Sequence, residues 1–132
     1  MLKALLVFFV LFFVAWDLAW MAAGVDQTPP WRLRDMLGAS PRPQLLDVRT
    51  RGEFALFHIP GAISRPDALS ADPASLGLDP SRPVVVVCMT GHRSPFVAKM
   101  FAAKGFAASN LTWGMLGWVL AGGAFTSGSW TP

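Results

Sequence analysis

Cysteine is almost absent from this sequence: Cys88 is the only one in 132 residues. An intramolecular disulfide is therefore impossible, and a Cys/His zinc cluster would have only His58 and His92 to recruit. No metal and no cofactor are expected. Charge is also scarce, at 14% of residues against 53% hydrophobic ones, which is apolar for a soluble protein of this size. The arginines behind the net charge of +3 are scattered, with no dense basic run and no basic stripe interleaved with aromatics. That argues against nucleic acid as a partner and fits a small anion or an anionic membrane surface.

The charge deficit is concentrated at the two ends. Residues 1–25 carry only Lys3 and Asp17, among Leu, Phe, Val, Ala and Trp. Residues 4–24 are long enough for one membrane crossing, so membrane contact is expected through that stretch. Two readings compete: a single-pass anchor with Trp16 and Trp20 near the far interface, or a secretory signal cleaved near Ala22-Ala23-Gly24, which would leave a secreted domain. Ala15, Ala19 and Ala23 have the spacing of a helix-packing stripe, and Asp17 could pair with a polar group on a partner helix. Lys3 argues for an inside N terminus, which would place the domain on the periplasmic side of a bacterial inner membrane. Arg32 and Arg34 argue the other way, although Asp26 and Asp35 sit beside them. Residues 105–132 carry no charge at all, yet Gly114, Gly117, Gly122 and Gly123 break them into pieces suited to packing on a sheet. The chain thus divides into 1–25, anchor or signal, and 26–132, one domain.

Within the domain, Asp26 to Pro30 reads as a linker, with Thr28 capping a short helix that runs to about Leu37 and ends at Gly38. Gln44 to Val48 reads as a strand and Arg51 to Phe57 as a short helix. His58 to Ala62 makes a turn into a brief strand near Ile63. Residues 65–83 form a loop with one helical turn. Val84 to Val87 has the pattern of a strand buried on both faces of a parallel sheet. Ser94 then caps a helix with Pro95 at its first position. Phe96, Val97, Met100, Phe101 and Lys104 line one side of that helix, and Gly105 ends it. Asn110 to Trp113 reads as a last strand, with a closing helix from about Met115 to Leu120. Strands alternating with helices on short connections imply an α/β fold with a mainly parallel central sheet.

A lone cysteine is ordinarily a small buried hydrophobe, but the context of Cys88 is different. A buried strand ends, Cys88 follows at once, four residues (Met89, Thr90, Gly91, His92) make a loop, and a helix begins after Arg93. Ligands of open α/β sheets sit at the carboxyl ends of strands. The loop and the helix start turn backbone N–H groups toward one point, an anion nest, and Gly91 lets the loop turn without crowding it. Convergent amides, a helix start and a nearby arginine favour the thiolate form of a cysteine.

The loop Cys88-Met89-Thr90-Gly91-His92-Arg93-Ser94 resembles the active loop of single-domain rhodaneses. Upstream, Leu46-Asp47-Val48-Arg49, Glu53-Phe54 and His58-Ile59-Pro60-Gly61-Ala62 resemble the same family's signature, and Trp113-Gly114 with Gly117-Trp118 is a third point of likeness. The likeness covers about residues 28 to 125. Phe57 and Trp113 depart from it, each standing where the family often has glycine. The resemblance implies a rhodanese-like fold, with helices on both faces of the sheet and one hydrophobic helix before it. It also implies a sulfurtransferase in which Cys88 takes sulfur from thiosulfate or another sulfane donor as a persulfide. Arg93 would bind the donor's oxyanion or stabilise the thiolate, the loop residues Met89, Thr90, Gly91, His92 and Ser94 would form the substrate-binding loop, and Thr90 and His92 would face outward. Asp47, Arg49 and Glu53 would be structural, tying the first strand to the next turn, and His58 would be a satisfied turn histidine. The partners implied are a small sulfur-containing anion and a thiol acceptor, together with a membrane protein or a reducing partner.

Two rivals remain at this level. A membrane-tethered sulfur carrier or docking module would use the same loop with little turnover of free thiosulfate. Cysteine-loop phosphatases and arsenate reductases share the fold, but need five residues between cysteine and arginine where this chain has four.

Overall fold

The computed structural model describes residues 1–132. Val84–Val87 form the middle strand, β4, of a five-stranded sheet. All four valines are buried; Val84 and Val86 pack into one apolar cluster and Val85 and Val87 into another. That alternation is what a pleated strand imposes when both of its faces are covered.

The remaining elements, in chain order, are α1 (Leu2–Ala22), β1 (Asp26–Thr28), α2 (Pro30–Leu37), β2 (Gln44–Asp47), α3 (Arg51–Leu56), β3 (Ile63–Ser64), a 3-10 turn (Pro73–Leu76), then after β4 the helix α4 (Ser94–Ala103), β5 (Ala108–Leu111) and α5 (Gly114–Leu120). The strand order is β1-β5-β4-β2-β3, and every neighbouring pair is parallel. On one face, Val97, Ala98 and Phe101 of α4 and Leu76 of the 3-10 turn meet Val84, Val86 and Leu46. On the other, Leu33 of α2, Phe54 of α3, and Met115 and Trp118 of α5 meet Leu45, Val85, Val87 and Leu111. The α/β architecture, the parallel sheet and the helices on both faces are as expected. The apolar helix α1 precedes them, its side chains largely exposed.

Five local expectations are corrected. Asp26 to Thr28 is an edge strand paired with β5, not a linker. Its three polar residues show no period; they pair instead with polar residues remote in sequence, as Thr28 Oγ1 with Ser109 Oγ (2.6 Å) and Gln27 Oε1 with Asn110 Nδ2 (2.9 Å). Thr28 therefore does not cap α2, whose N-cap is Pro29 without a side-chain bond. Ser94 is the first residue of α4 rather than its cap, because its hydroxyl is engaged inside the site. Phe96 stands exposed on α4 against Trp20 of α1 and is not part of the helix's core side. The last strand also begins earlier than expected, at Ala108, and stops at Leu111.

One ion pair is wholly internal. Arg49 Nε and Nη2 donate to both carboxylate oxygens of Asp47 (2.7–3.2 Å), and neither side chain has any exposed surface. The same guanidinium donates to the carbonyls of Glu53 (3.3 Å) and Phe57 (2.7 Å), so it fastens the end of β2 to both ends of the α3 segment. Removing one partner of such a pair strands a charge in the interior. Arg49→Ala should therefore destabilise the domain by about 3–5 kcal/mol, measured by denaturant unfolding of the full chain in detergent; a loss below about 1 kcal/mol, the range of a surface pair, would contradict this account.

Candidate active site

At the end of β4 the chain leaves the sheet through Cys88, whose side chain is buried. Two donors reach its sulfur: Gly91 N–H at 3.1 Å and Ser94 Oγ at 3.3 Å. Gly91 adopts φ +79°, and a Cβ there would press on the backbone of Trp113 and Leu111, so the turn that aims this N–H at the sulfur requires glycine. Ser94 Oγ is also bonded to Asn110 Oδ1. A hydroxyl has one proton, so it donates to one of these acceptors at a time. When Cys88 is a thiol, its S–H can donate to Ser94 while Ser94 donates to Asn110; when Cys88 is a thiolate, the hydroxyl proton is free to turn to sulfur. Asn110 continues into Gln27, which also accepts from Thr112 Oγ1 (3.0 Å).

The loop backbone is fastened from behind. Met115 N–H donates to Cys88 O (2.8 Å) and Leu116 N–H to Met89 O (3.0 Å), so the first turn of α5 satisfies carbonyls that have left the β-ladder. This close approach depends on Gly114 (φ +58°), where a Cβ would collide with Cys88 O and the Met89 carbonyl group. Trp113, just before it, has φ +62°. That is the left-handed region, where a side chain is strained and glycine is not, which accounts physically for glycine being usual at that position in the resembled family. The Trp113 ring lies edge-on to Trp31.

Arg93 does not reach freely into the loop. Its Nη2 and Nη1 fork onto Glu53 Oε1 (2.9 Å) and Oε2 (3.2 Å). Glu53 is itself the reciprocal partner of Thr50 in a capping box at the start of α3. The Arg93 hydrogen bonds, ahead of those from Thr50, hold the Glu53 carboxyl down at about 2, and Glu53 in turn pushes the guanidinium further up. Arg93 Nε is buried without a hydrogen-bond partner, and the guanidinium is near enough to Cys88 to be influenced by it.

Of the other residues singled out from the sequence, Thr90 Oγ1 pairs with His92 Nδ1; His92 is exposed and Thr90 half-buried. Met89 packs against the α5 side of the sheet. His58 lies outside the loop, bonded through Nδ1 to Phe54 O (2.8 Å) and stacked on the Phe54 ring. Asp47 and Arg49 form the internal pair described above, whereas Glu53 belongs to the site through Arg93. Three participants had escaped the sequence reading: Asn110, the α5 amides, and Trp16 of α1, whose Nε1 donates to Gly91 O (3.4 Å). The Thr50-Arg51-Gly52-Glu53 spacing signals a capping box; nothing in it points across to Arg93.

A family model described as the rhodanese-like domain matches residues 30–121. Among solved structures, a rhodanese-like domain protein from Staphylococcus aureus is 30% identical, covering 71% of this chain and 91% of its own, with a TM-score of 0.63. A rhodanese-related protein from Thermoplasma volcanium is 20% identical over 76% of this chain and 97% of its own, TM-score 0.68, a likeness of fold. A thiosulfate sulfurtransferase from Pseudomonas aeruginosa is 25% identical over 89% of this chain, TM-score 0.69, but only 23% of that longer chain is involved. A search of curated proteins found no match.

The Glu53–Arg93 pair makes a pH prediction. A carboxyl that titrates at about 2 when folded and near 4.5 otherwise contributes stability that is fully present above about 4.5 and is lost as the pH falls toward 2. Glu53→Gln should flatten the fall in melting temperature across that interval relative to wild type; parallel acid profiles would show that the pair does not carry the linkage.

Proposed function

We propose that this chain, which belongs to the rhodanese-like domain family, is a sulfurtransferase that moves sulfane sulfur from thiosulfate or another persulfide donor to a thiol acceptor through a Cys88 persulfide. One observation carries the proposal: a buried sulfur at the end of a parallel strand, met by the Gly91 amide and the Ser94 hydroxyl in a four-residue loop. The likeness to a stretch of a thiosulfate sulfurtransferase supports the donor class.

In the first half-reaction the Cys88 thiolate attacks the outer sulfur of thiosulfate. Its electron pair forms the new S–S bond, the old S–S bond breaks, and sulfite leaves with the bonding pair. The terminal persulfide sulfur carries the negative charge, and the donors around Cys88 are those available to hold it. In the second half-reaction an acceptor thiolate attacks that terminal sulfur, the Cys88 S–S bond breaks, and the thiolate is restored. This is ping-pong covalent catalysis. Arg93 Nε, the guanidinium nitrogen that is buried without a hydrogen-bond partner, is the donor assigned to the oxyanion; Glu53 orients the guanidinium from behind.

The α1 segment is proposed to anchor the domain in a membrane as a single pass. It is 21 residues long and apolar enough to span, and cleavage near Ala23 would remove Trp20, which packs against the core cluster containing Val25. On the periplasmic side, Cys88 would need a reducing partner to stay a thiol. A second reading, a carrier that receives sulfur from a membrane partner, is favoured by the burial of Cys88 and by α1 contacting its loop. Steady-state turnover with thiosulfate separates the two.

Incubating the full, unreduced chain with thiosulfate should add the mass of one sulfur atom, removable by cyanide or a thiol and absent in Cys88→Ser. No added sulfur on a titratable Cys88 would overturn the thiosulfate reaction, and the same spectrum reports whether α1 is retained. Arg93→Ala should lower kcat/KM for thiosulfate by about ten- to a hundred-fold, the worth of one charged hydrogen bond; unchanged thiosulfate kinetics would remove Arg93 from donor binding.

A further inference from the structure

Two features of the sequence stand outside the sulfur chemistry: an aspartate, Asp17, inside an apolar helix, and a tryptophan, Trp113, at a left-handed position. In the structure they lie close together, Trp113 lining one cavity with Phe13 and Val14 of the same helix as Asp17. Beside Asp17, Trp16 donates to Gly91 O; one turn further on, Trp20 packs edge-on against Phe96, with ring centroids 4.6 Å apart. Only Ala23 to Val25 separate α1 from β1, and Val25 is buried in the core. The helix enters β1 at the amino end of the parallel sheet, while its Trp16 lies against the loop at the carboxyl end, so it packs along the domain and does not hang from a free linker.

Length turns this seat into a constraint. At about 1.5 Å per residue, the 21 residues of α1 reach about 31 Å, which matches a hydrocarbon core about 30 Å thick. Without the seated turns, Leu2 to Ala15 would reach only about 21 Å. When α1 spans, then, Trp16 to Trp20 lie within the membrane's thickness, and the domain surface touching them lies at its edge. That surface is apolar. Phe96, Trp113, Leu116 and Leu120 are 50, 41, 51 and 79% exposed, and the last three recur along one side of α5 at helical spacing. Between them and Phe9 and Phe13 of α1 opens an apolar cavity of about 570 Å³ whose wall includes Thr90 of the sulfur loop. At the far end of α5, Arg34 donates to Ala121 O (2.6 Å) and places an exposed cation on the rim, where a lipid phosphate would find it.

We propose that bilayer lipid fills this cavity and covers the exposed side of α5, so that Trp113, Leu116 and Leu120 sit in the lipid–water interface and the sulfur loop opens there. The proposal rests on the reading of α1 as a membrane anchor. Lipid is the occupant that the geometry favours because the α5 surface continues the apolar surface of α1, which lipid already covers, and because its aromatic and aliphatic side chains end at a basic rim.

The single cysteine makes a direct test available. In the full-length Cys88→Ser chain, Phe9→Cys, Leu116→Cys, Leu120→Cys and Ser81→Cys are labelled one at a time with an environment-sensitive fluorophore. Each is reconstituted in vesicles of phosphatidylcholine and phosphatidylglycerol. Ser81 is exposed at the opposite end of β4 and reports bulk water. Labels at 116 and 120 should be quenched several-fold more than the label at 81 by lipid spin-labelled near the headgroup, and shielded several-fold from iodide. The label at 9 should be quenched by lipid spin-labelled deep in the chain. If 9 is quenched and 116 and 120 behave like 81, the anchor stands and lipid docking of α5 fails. If 116 and 120 are shielded from iodide and lipid alike, a protein covers the face and the proposal is overturned. If 9 is not quenched, the anchor reading fails and takes this one with it.

Discussion

The structure depends on a strand whose own four side chains are all apolar and all buried. The valines of β4 are covered on both faces and paired on both edges, so every group that needs hydrogen bonds or solvent is pushed to the strand's ends. At the carboxyl end this places Cys88 and Met89, whose carbonyls have no further ladder partner. The first amides of α5 take them, and that requires α5 to approach so closely that only glycine fits at position 114. Once the carbonyls are held, the loop is free to turn its remaining donors inward, and Gly91 N–H and Ser94 Oγ converge on the sulfur. The cradle is thus the residue of backbone accounting at the end of a fully buried strand.

The two arginines nearest the site are used in opposite ways. Arg49 is consumed by Asp47 and two carbonyls in a region without water; its role is to hold the end of β2 against α3. Arg93 is partly exposed and gives only its two terminal nitrogens to Glu53. Because Glu53 is also locked to Thr50 by the capping box, the start of α3 sets where the Arg93 guanidinium points. A helix cap, ordinarily a matter of local stability, here positions a charge beside the Cys88 loop.

The helix α1 joins the same arrangement from outside. Its contacts with Gly91, Phe96 and Trp113 all fall on the end of the sheet where the sulfur loop lies. The left-handed Trp113 is therefore flanked on three sides: by α1, by Trp31, and by the glycine that admits α5 to the loop. Strained backbone survives where its surroundings over-determine it, and this one sits where α1, the loop and α5 converge.

Much of this was legible in the sequence, for physical reasons that can be named. Four consecutive valines between turn residues specify a doubly covered strand, because burial on both faces leaves no place for a polar side chain. A cysteine directly after such a strand, followed by a short glycine-bearing loop and a helix start, points to amides turned toward the sulfur, because those are local backbone properties; the Gly91 N–H is the one that reaches it. Twenty-one residues, apolar apart from Lys3 and Asp17, specify a helix that seeks lipid or an apolar partner. What remained illegible was every pairing between residues distant in the chain. Asp26 to Thr28 looked like a linker because a three-residue edge strand has no period and draws its identity from β5. Ser94 looked like a cap because its true partners, Cys88 and Asn110, come together only when β4 and β5 lie side by side. Glu53 looked like part of the Asp47–Arg49 cluster, and only the packing of α3 beside the loop turns it toward Arg93. The sequence by itself determined the elements and the chemistry each could carry, since hydrophobic period and backbone conformation are local; tertiary structure alone decided which polar group met which, since hydrogen bonds and ion pairs act over a few ångströms between residues that may be dozens of positions apart.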